Sequence, residues 1–303
     1  MSAVPTPVTS AGRLRTYASF VRFEHTLFSL PLILTGIFTA PGPAMPWTRW
    51  LLTAAAAVGA RTSAMSLNRL IDRRIDALNP RTATRELPAG RMKLAEAAAL
   101  LAAALAVYLA ACAALGPWYV RVSWVPIAVF ATYPWLKRFT PLCHVGVGVS
   151  MALALLAGYA AAHPDLARPT PALWLAGFAL CWGTGFDVIY ATLDEDFDRA
   201  HGVHSLVVWQ GRERALRGSW WLHLCAAGAI AVGVVRVLGA GAVRAPFFLA
   251  VAAVLYAVAV GLLWLEQRWA EDVNLAFFKT NVWVAFVLFL MVLAARMASG
   301  GFH

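Results

Sequence analysis

Asn68-Arg-Leu-Ile-Asp72-Arg-Arg-Ile-Asp76 closes one long apolar run of the chain, and Asp187-Val-Ile-Tyr190-Ala-Thr-Leu-Asp194-Glu-Asp-Phe-Asp198 closes another. Each helical residue advances by about 100°, so Asn68, Asp72 and Asp76 fall within roughly 80° of one another. On a continuous helix Asp187, Asp194 and Asp198 fall within roughly 40°, with Tyr190 about 60° to one side. Carboxylates stacked in this way repel one another unless something positive lies between them. A solvated acidic helix end accounts for one such stripe. Two stripes, each ending an apolar run, point instead to a hard cation, because ligand sets made only of oxygen suit Mg²⁺.

The surrounding sequence sets these stripes in a membrane. The chain has 303 residues, 61% of them hydrophobic and only 13% charged, which is the composition of an all-α polytopic membrane protein. The net charge of +10 is unevenly distributed, and no nucleic-acid partner is expected. Residues 1–12 are small, polar and Pro-containing and lack the apolar core of a signal peptide, so a short disordered tail is expected before a single membrane domain, 13–303. Nine stretches are long and apolar enough to span: Phe20–Ala40, Trp47–Asn68, Leu94–Leu115, Trp118–Leu136, His144–Ala162, Thr170–Leu193, Ser219–Leu238, Pro246–Leu265 and Asn274–Met297. The expected architecture is nine transmembrane helices around a central cavity, with two motif-bearing cytoplasmic loops. Cys112, Cys143, Cys181 and Cys225 lie far apart without zinc-ligand spacing and read as buried, reduced thiols. Trp47, Trp50, Trp118, Trp220, Trp221 and Trp269 fall near span ends, as an interfacial belt does.

Orientation follows from the cations. Threading nine spans places seventeen Lys and Arg on the side of the two stripes and five, Arg49, Arg121, Arg168, Arg236 and Arg244, on the other. The rule that cytoplasmic loops are positive then turns both stripes to the cytoplasm. Asp72 and Asp194 stand as far apart in the chain as Asp76 and Asp198. Two similar halves facing one cavity would bring the stripes together.

The loop after the first stripe, Ala77 to Arg91, is basic and punctuated by Pro80, Pro88 and Gly90, so it is an ordered loop or a short helix and not a span. The fourth span ends in Tyr133-Pro134-Trp135-Leu136-Lys137-Arg138. Acids that hold Mg²⁺, beside Arg and Lys that hold phosphate oxygens, make a diphosphate site. At one membrane face above an apolar cavity, that site implies a lipid diphosphate. Arg22, Glu24 and His25 open the first span, where charge is expensive; Arg22 or His25 pairing with the carboxylate of an aromatic acid and simple snorkelling are both open. Asn274 and Asn281 share a face of the last span and read chiefly as a helix–helix hydrogen-bonding pair, and Arg61 lies inside the second.

At this point the residues resemble a family. The chain is similar over nearly its whole length to the UbiA-type membrane prenyltransferases, whose Asn-x3-Asp-x3-Asp motif is matched by Asn68, Asp72 and Asp76, and whose Asp-x2-Tyr-x3-Asp-x3-Asp motif is matched by Asp187, Tyr190, Asp194 and Asp198. Phe23-Glu24-His25-Thr26, Asn79-Pro80-Arg81-Thr82 and Gly202-Val203-His204-Ser205 look most like the polyprenyltransferases of the futalosine route to menaquinone. Many ubiquinone-pathway members have Lys at the place of His204. The resemblance implies Mg²⁺ held by Asp72, Asp76, Asp194 and Asp198 with Asn68 assisting. It implies a departing diphosphate stabilised by Arg81, Arg85, Lys137 and Arg138, and an acceptor or diphosphate oriented by Asp187 or Tyr190. The implied partners are a polyprenyl diphosphate, an aromatic acceptor such as 1,4-dihydroxy-6-naphthoate, and the bilayer.

The competing readings are the same fold with 4-hydroxybenzoate, haem, a chlorin or homogentisate as acceptor, a secondary transporter, and a membrane phosphotransferase. A transporter would be expected to set its carboxylates near the midplane on broken helices. A phosphotransferase of that kind has different motif spacing and a shorter chain.

Overall fold

The computed structural model describes residues 10–22, 26–42, 44–239, 243–270 and 273–300. The described residues form helices and connecting loops without a β-strand. In chain order the helices are α1 (Ser10–Phe20), α2 (Thr26–Phe38), α3 (Trp47–Leu78), α4 (Leu94–Leu115), α5 (Pro117–Val122), α6 (Trp124–Leu136), α7 (Cys143–Ala162), α8 (Thr170–Ala191), α9 (Glu195–His201), α10 (Leu206–Gln210), α11 (Arg212–Leu238), α12 (Pro246–Arg268) and α13 (Val273–Ala298). Six described helical segments are long and apolar enough to cross a membrane: Leu94–Leu115, Cys143–Ala162, Thr170–His201, Arg212–Leu238, Pro246–Arg268 and Thr280–Ala298. Large apolar side chains such as Val107, Leu224, Val235, Val254 and Trp283 point outward, which water would penalise and lipid does not.

α8 packs between α7 and α11, α2 lies against α7 and α13, and α3 lies against α4 and α6. The main core joins α2, α7, α8, α11, α12 and α13 through fully buried Leu32, Leu155, Leu175, Trp182, Ile230, Ala259, Leu288 and Met291. Helix association in lipid relies on close packing, because lipid tails are as apolar as leucine. The α2–α7 contact shows this at its tightest. A Cβ added to Gly36 would stand 1.9 Å from the Leu155 carbonyl oxygen, and one added to Gly158 would stand 2.0 Å from that of Ile33.

Four expectations about elements need correction. The first stripe is not in a loop: α3 runs unbroken through Asp76, because Asn68 to Leu78 contains neither Gly nor Pro. Pro80 then forces Asn79 into extended backbone (φ −84°, ψ 118°) and ends the helix. The second stripe is not one helix: a 3₁₀ turn at Thr192–Asp194 separates α8 from α9, so the 40° alignment across Asp187, Asp194 and Asp198 is lost. The expected span Phe20–Ala40 begins as the end of α1 and continues as α2, and Trp118–Leu136 is divided at Ser123 into α5 and α6. Pro126 accounts for the second break, since it lacks the N–H that would bond to the Val122 carbonyl. Among the cysteines, Cys112 is buried and Cys143 and Cys181 are half-buried, but Cys225 is exposed on the outer face of α11.

Residues 79–93 form the ordered loop expected from their Pro and Gly. Glu86 pins this loop to α1, accepting from the Ser19 hydroxyl at 2.6 Å. Burial pushes the Glu86 carboxyl up, but the Ser19 hydroxyl, a backbone N–H, Arg69 and Arg91 outweigh it and hold the group below the usual carboxylate range.

Candidate active site

The C-terminal ends of α3, α6 and α8, the start of α7 and the loops 79–93 and 202–205 converge on one end of a cavity of about 1060 Å³. Its deeper lining is largely apolar, with Leu32, Ile33, Ala56, Ala60, Val125, Phe130, Met151 and Leu156. Asp72, Asp76, Asp187, Tyr190, Asp194 and Asp198 all line it, so the two stripes meet although they are far apart in sequence.

Of these acids, Asp72, Asp76, Asp187 and Asp194 face a cation or another donor. Lys137 Nζ donates to Asp72 Oδ2 at 2.5 Å, Asn68 Nδ2 donates to the same oxygen at 3.4 Å, and Arg138 Nη2 stands 3.6 Å from Oδ1. Arg85 Nη1 donates to both oxygens of Asp76 at 2.8 Å. Arg81 grips Asp194 through Nε at 2.8 Å and through Nη2, and its Nη1 donates to the Tyr190 hydroxyl at 2.6 Å. Burial works against the charge on Arg81, but Asp194 and Tyr190 more than offset it and raise its pKa. Asn79 Nδ2 also donates to Asp194, at 2.8 Å, and Asn79 Oδ1 accepts from the Arg81 backbone at 2.9 Å, so one side chain sets both partners. The Leu206 N–H donates to Nε2 of His144 at 3.3 Å. That leaves the ring proton on Nδ1, from which it donates to Asp187 Oδ2 at 2.7 Å.

The predicted residues separate clearly by position. Asn68, Arg81, Arg85 and Lys137 line the cavity with the acids, and Arg138 stands behind Asp72 with its guanidinium 4.4 Å from the Trp135 ring centroid. Arg22 and Arg61 also line it. Arg22 has a positive φ of 49°, uncommon for a residue with a side chain. Glu24, His25 and the side chain of Asn274 lie outside the described residues, as do residues 1–9 of the expected tail. Asn281 accepts from Trp182 Nε1 at 3.0 Å, the helix–helix bond expected of it, and also borders the cavity.

Sequence reading missed Asn79, Tyr133 and His144 as site residues. Tyr133 and Asn79 stood in segments already singled out, while His144 opened an apolar run with nothing nearby in sequence to mark it. His204 holds its loop against α6, its backbone N–H donating to the Lys137 carbonyl at 2.7 Å.

Among the described residues no three His, Cys, Asp or Glu side chains form a ready-made metal cage. The donor set still fits Mg²⁺, which is held by one or two carboxylates, water and substrate phosphate rather than by an all-protein shell. Asp72 Oδ1 is buried and makes no hydrogen bond, with Arg138 Nη2 3.6 Å away, so part of this carboxylate's bonding capacity is unused. Chemically, carboxylates and cations at the mouth of an apolar cavity suit a ligand with a charged phosphate head and a hydrocarbon tail.

Comparison with known proteins agrees with this shape. The model of the UbiA prenyltransferase family matches residues 29–290. The apo structure of a UbiA homologue from Aeropyrum pernix K1 superposes with a TM-score of 0.78 at 35% identity, covering 88% of this chain and 95% of that one. A UbiA homologue from Archaeoglobus fulgidus, bound to GPP and Mg²⁺, superposes with a TM-score of 0.71 at 18% identity over 94% and 99% of the two chains, a likeness of fold. A 4-hydroxybenzoate octaprenyltransferase of Alkalilimnicola ehrlichii is 32% identical over 77% of each chain. One from Actinobacillus pleuropneumoniae is 29% identical over 66% of this chain and 68% of its own.

Proposed function

The chain belongs to the UbiA prenyltransferase family, and on that premise we propose that it transfers a polyprenyl group from a polyprenyl diphosphate to 1,4-dihydroxy-6-naphthoate or a closely similar aromatic acid, with Mg²⁺, in menaquinone biosynthesis. It is an aromatic prenyltransferase and a polytopic membrane protein. The observation that carries the proposal is the meeting of the two aspartate motifs with Arg81, Arg85 and Lys137 at the polar end of one long apolar cavity.

In this reading α2, α3 and the α5–α6 pair join the six long apolar helices, making nine crossings, and the polar mouth faces the cytoplasm of a bacterial cell. Asp72, Asp76, Asp194 and Asp198 would hold Mg²⁺ with the diphosphate, Asn68 steadying Asp72. Bound there, Mg²⁺ would supply neutralisation of the diphosphate charge. Lys137, Arg81 and Arg85 exchange their carboxylate partners for phosphate oxygens, and Arg138 adds a further positive charge behind them. As the allylic C–O bond breaks, its electron pair passes to the leaving diphosphate, so fixed cations there stabilise the transition state more than the ground state. The apolar cavity receives the isoprenoid tail and excludes water from the allylic cation. A ring carbon of the acceptor attacks that cation, and the ring then loses a proton. Asp187, held by His144, or Tyr190, held by Arg81, orients the acceptor or the diphosphate. Arg22 or His25 pairs with the acceptor carboxylate.

The second reading, 4-hydroxybenzoate as acceptor, is favoured by the names of the curated relatives; His204 and the resemblance to the menaquinone branch favour the naphthoate. Purified protein supplied with one polyprenyl diphosphate and an equal mixture of both acceptors decides between them. Prenylated naphthoate as the main product is expected; prenylated 4-hydroxybenzoate alone would move the reaction to the ubiquinone route.

A further inference from the structure

Two parts of the site meet at the ring of His144, the second residue of α7, which is buried at 4% exposure. α7 and α8 run antiparallel and approach closely at a pair of glycines. A Cβ added to Gly148 would stand 2.3 Å from the Leu180 carbonyl oxygen, and one added to Gly183 would stand 2.9 Å from the Gly148 Cα. His144 precedes Gly148 by one helical turn, and Asp187 follows Gly183 by one turn. The close approach of the backbones therefore continues as a side-chain contact, the 2.7 Å bond between His144 Nδ1 and Asp187 Oδ2.

The other ring nitrogen faces the end of the loop 202–205. A backbone N–H can only donate, so the Leu206 N–H makes Nε2 an acceptor and fixes the neutral tautomer that gives its one N–H to Asp187. The same loop is tied elsewhere. The Val203 N–H donates to the Asp198 carbonyl at 2.9 Å, the His204 N–H to the Lys137 carbonyl at 2.7 Å, and Cys143 Sγ to the His204 carbonyl at 3.5 Å. Just beyond it, buried Val207 packs in one cluster with Val188, the chain neighbour of Asp187. One imidazole thus joins the loop that carries His204 to the first acid of the second motif.

Asp187 also differs from the other acids in what holds it. Asp72, Asp76 and Asp194 face Lys137, Arg85 and Arg81, cations that can turn to phosphate oxygens. A neutral imidazole engaged on both sides offers phosphate no such charge. Asp187 lines the cavity, and one bond to the imidazole leaves it further lone pairs. A carboxylate held in this way suits a hydroxyl of an aromatic acceptor better than an anionic diphosphate.

We propose that His144 is a positioning residue for the acceptor: it fixes the orientation of Asp187 and ties it to the loop carrying His204. This rests on the prenyl-transfer reading of the site.

The test is steady-state kinetics of the full-length protein in liposomes, varying the polyprenyl diphosphate and the acceptor separately, for the parent, His144→Leu, His144→Asn and His144→Gln. An Asn amide N–H falls near the place of Nδ1 and serves Asp187, whereas a Gln carbonyl falls near the place of Nε2 and serves only the Leu206 N–H. His144→Leu is expected to lower kcat/KM for the acceptor by about 10–100-fold, as loss of a group that orients a functional side chain does, with KM for the diphosphate unchanged. His144→Asn should recover most of that loss and His144→Gln should not, a contrast that decides the matter even where the Leu variant melts early. A Leu variant as active as the parent, a Gln variant at least as active as the Asn variant, or a diphosphate KM that rises together with the acceptor KM would overturn the proposal and leave His144 as a packing residue. A parent that prenylates neither acceptor would overturn the transfer reading itself, and this proposal with it.

Discussion

Asp194 shows how much of the site turns on one side chain. It accepts from Arg81 and Asn79, and Arg81 in turn holds Tyr190. Asp194→Ala is expected to lower kcat by at least about a hundredfold, as removal of a fixed transition-state contact does, while the helical content by circular dichroism stays that of the parent. Activity within a few-fold of the parent would mean that this carboxylate does not serve the reaction. His204 belongs to the same scale. It lines the mouth of the cavity beside Lys137. His204→Lys should shift the product ratio in an acceptor competition toward 4-hydroxybenzoate; an unchanged ratio would remove this position from acceptor choice. Glu86 carries a pH dependence. Its carboxyl is held below the usual range when folded, so its contribution is present above the unfolded pKa and is lost as pH falls through the folded one. Hydrogen exchange of residues 86–92 should therefore rise as pH falls through the carboxylate range, beyond the intrinsic rate change, and Glu86→Gln should show no such rise.

At the scale of elements, the α2–α7 contact holds the wall of the cavity that contains Leu32 and Ile33. Gly158→Ala brings a methyl into the Ile33 carbonyl, and the overpacking should cost about 1–3 kcal/mol. Thermal melting in detergent should fall accordingly, with the motif side chains untouched; an unchanged melting temperature would show that the helices separate freely. Element boundaries are also where sequence reading was weakest, for reasons visible in the chain. Hydropathy located α4, α7, α8, α11 and α12 because their apolar runs are uninterrupted. It placed the first motif beyond its helix because charge ends a hydropathic span without ending the helix, and only Pro80 does that. It missed the 3₁₀ turn at Thr192 because no Gly or Pro marks it.

Across the whole molecule, the motifs were legible because their residue types and spacing are repeated. Their partners were legible only in part. Arg81, Arg85, Lys137 and Arg138 were found from charge next to phosphate-like chemistry, and the structure adds which acid each one faces. Asn79 and His144 were not found, since a neutral Asn beside Pro and a His at the start of an apolar run carry no signal until the chain is folded. At the motif end Arg81, Arg85 and Lys137 each face an acid.

The measurement that bears most directly on the central claim is formation of prenylated naphthoate by purified protein in liposomes, with and without Mg²⁺, for the parent, Asp72→Ala and Asp194→Ala. The two aspartates come from opposite halves of the chain and meet only in the fold. Mg²⁺-dependent product from the parent, and loss of it in each variant alone, is the predicted result. Product formation that survives in either variant, or that ignores Mg²⁺, would contradict a single site built from both motifs.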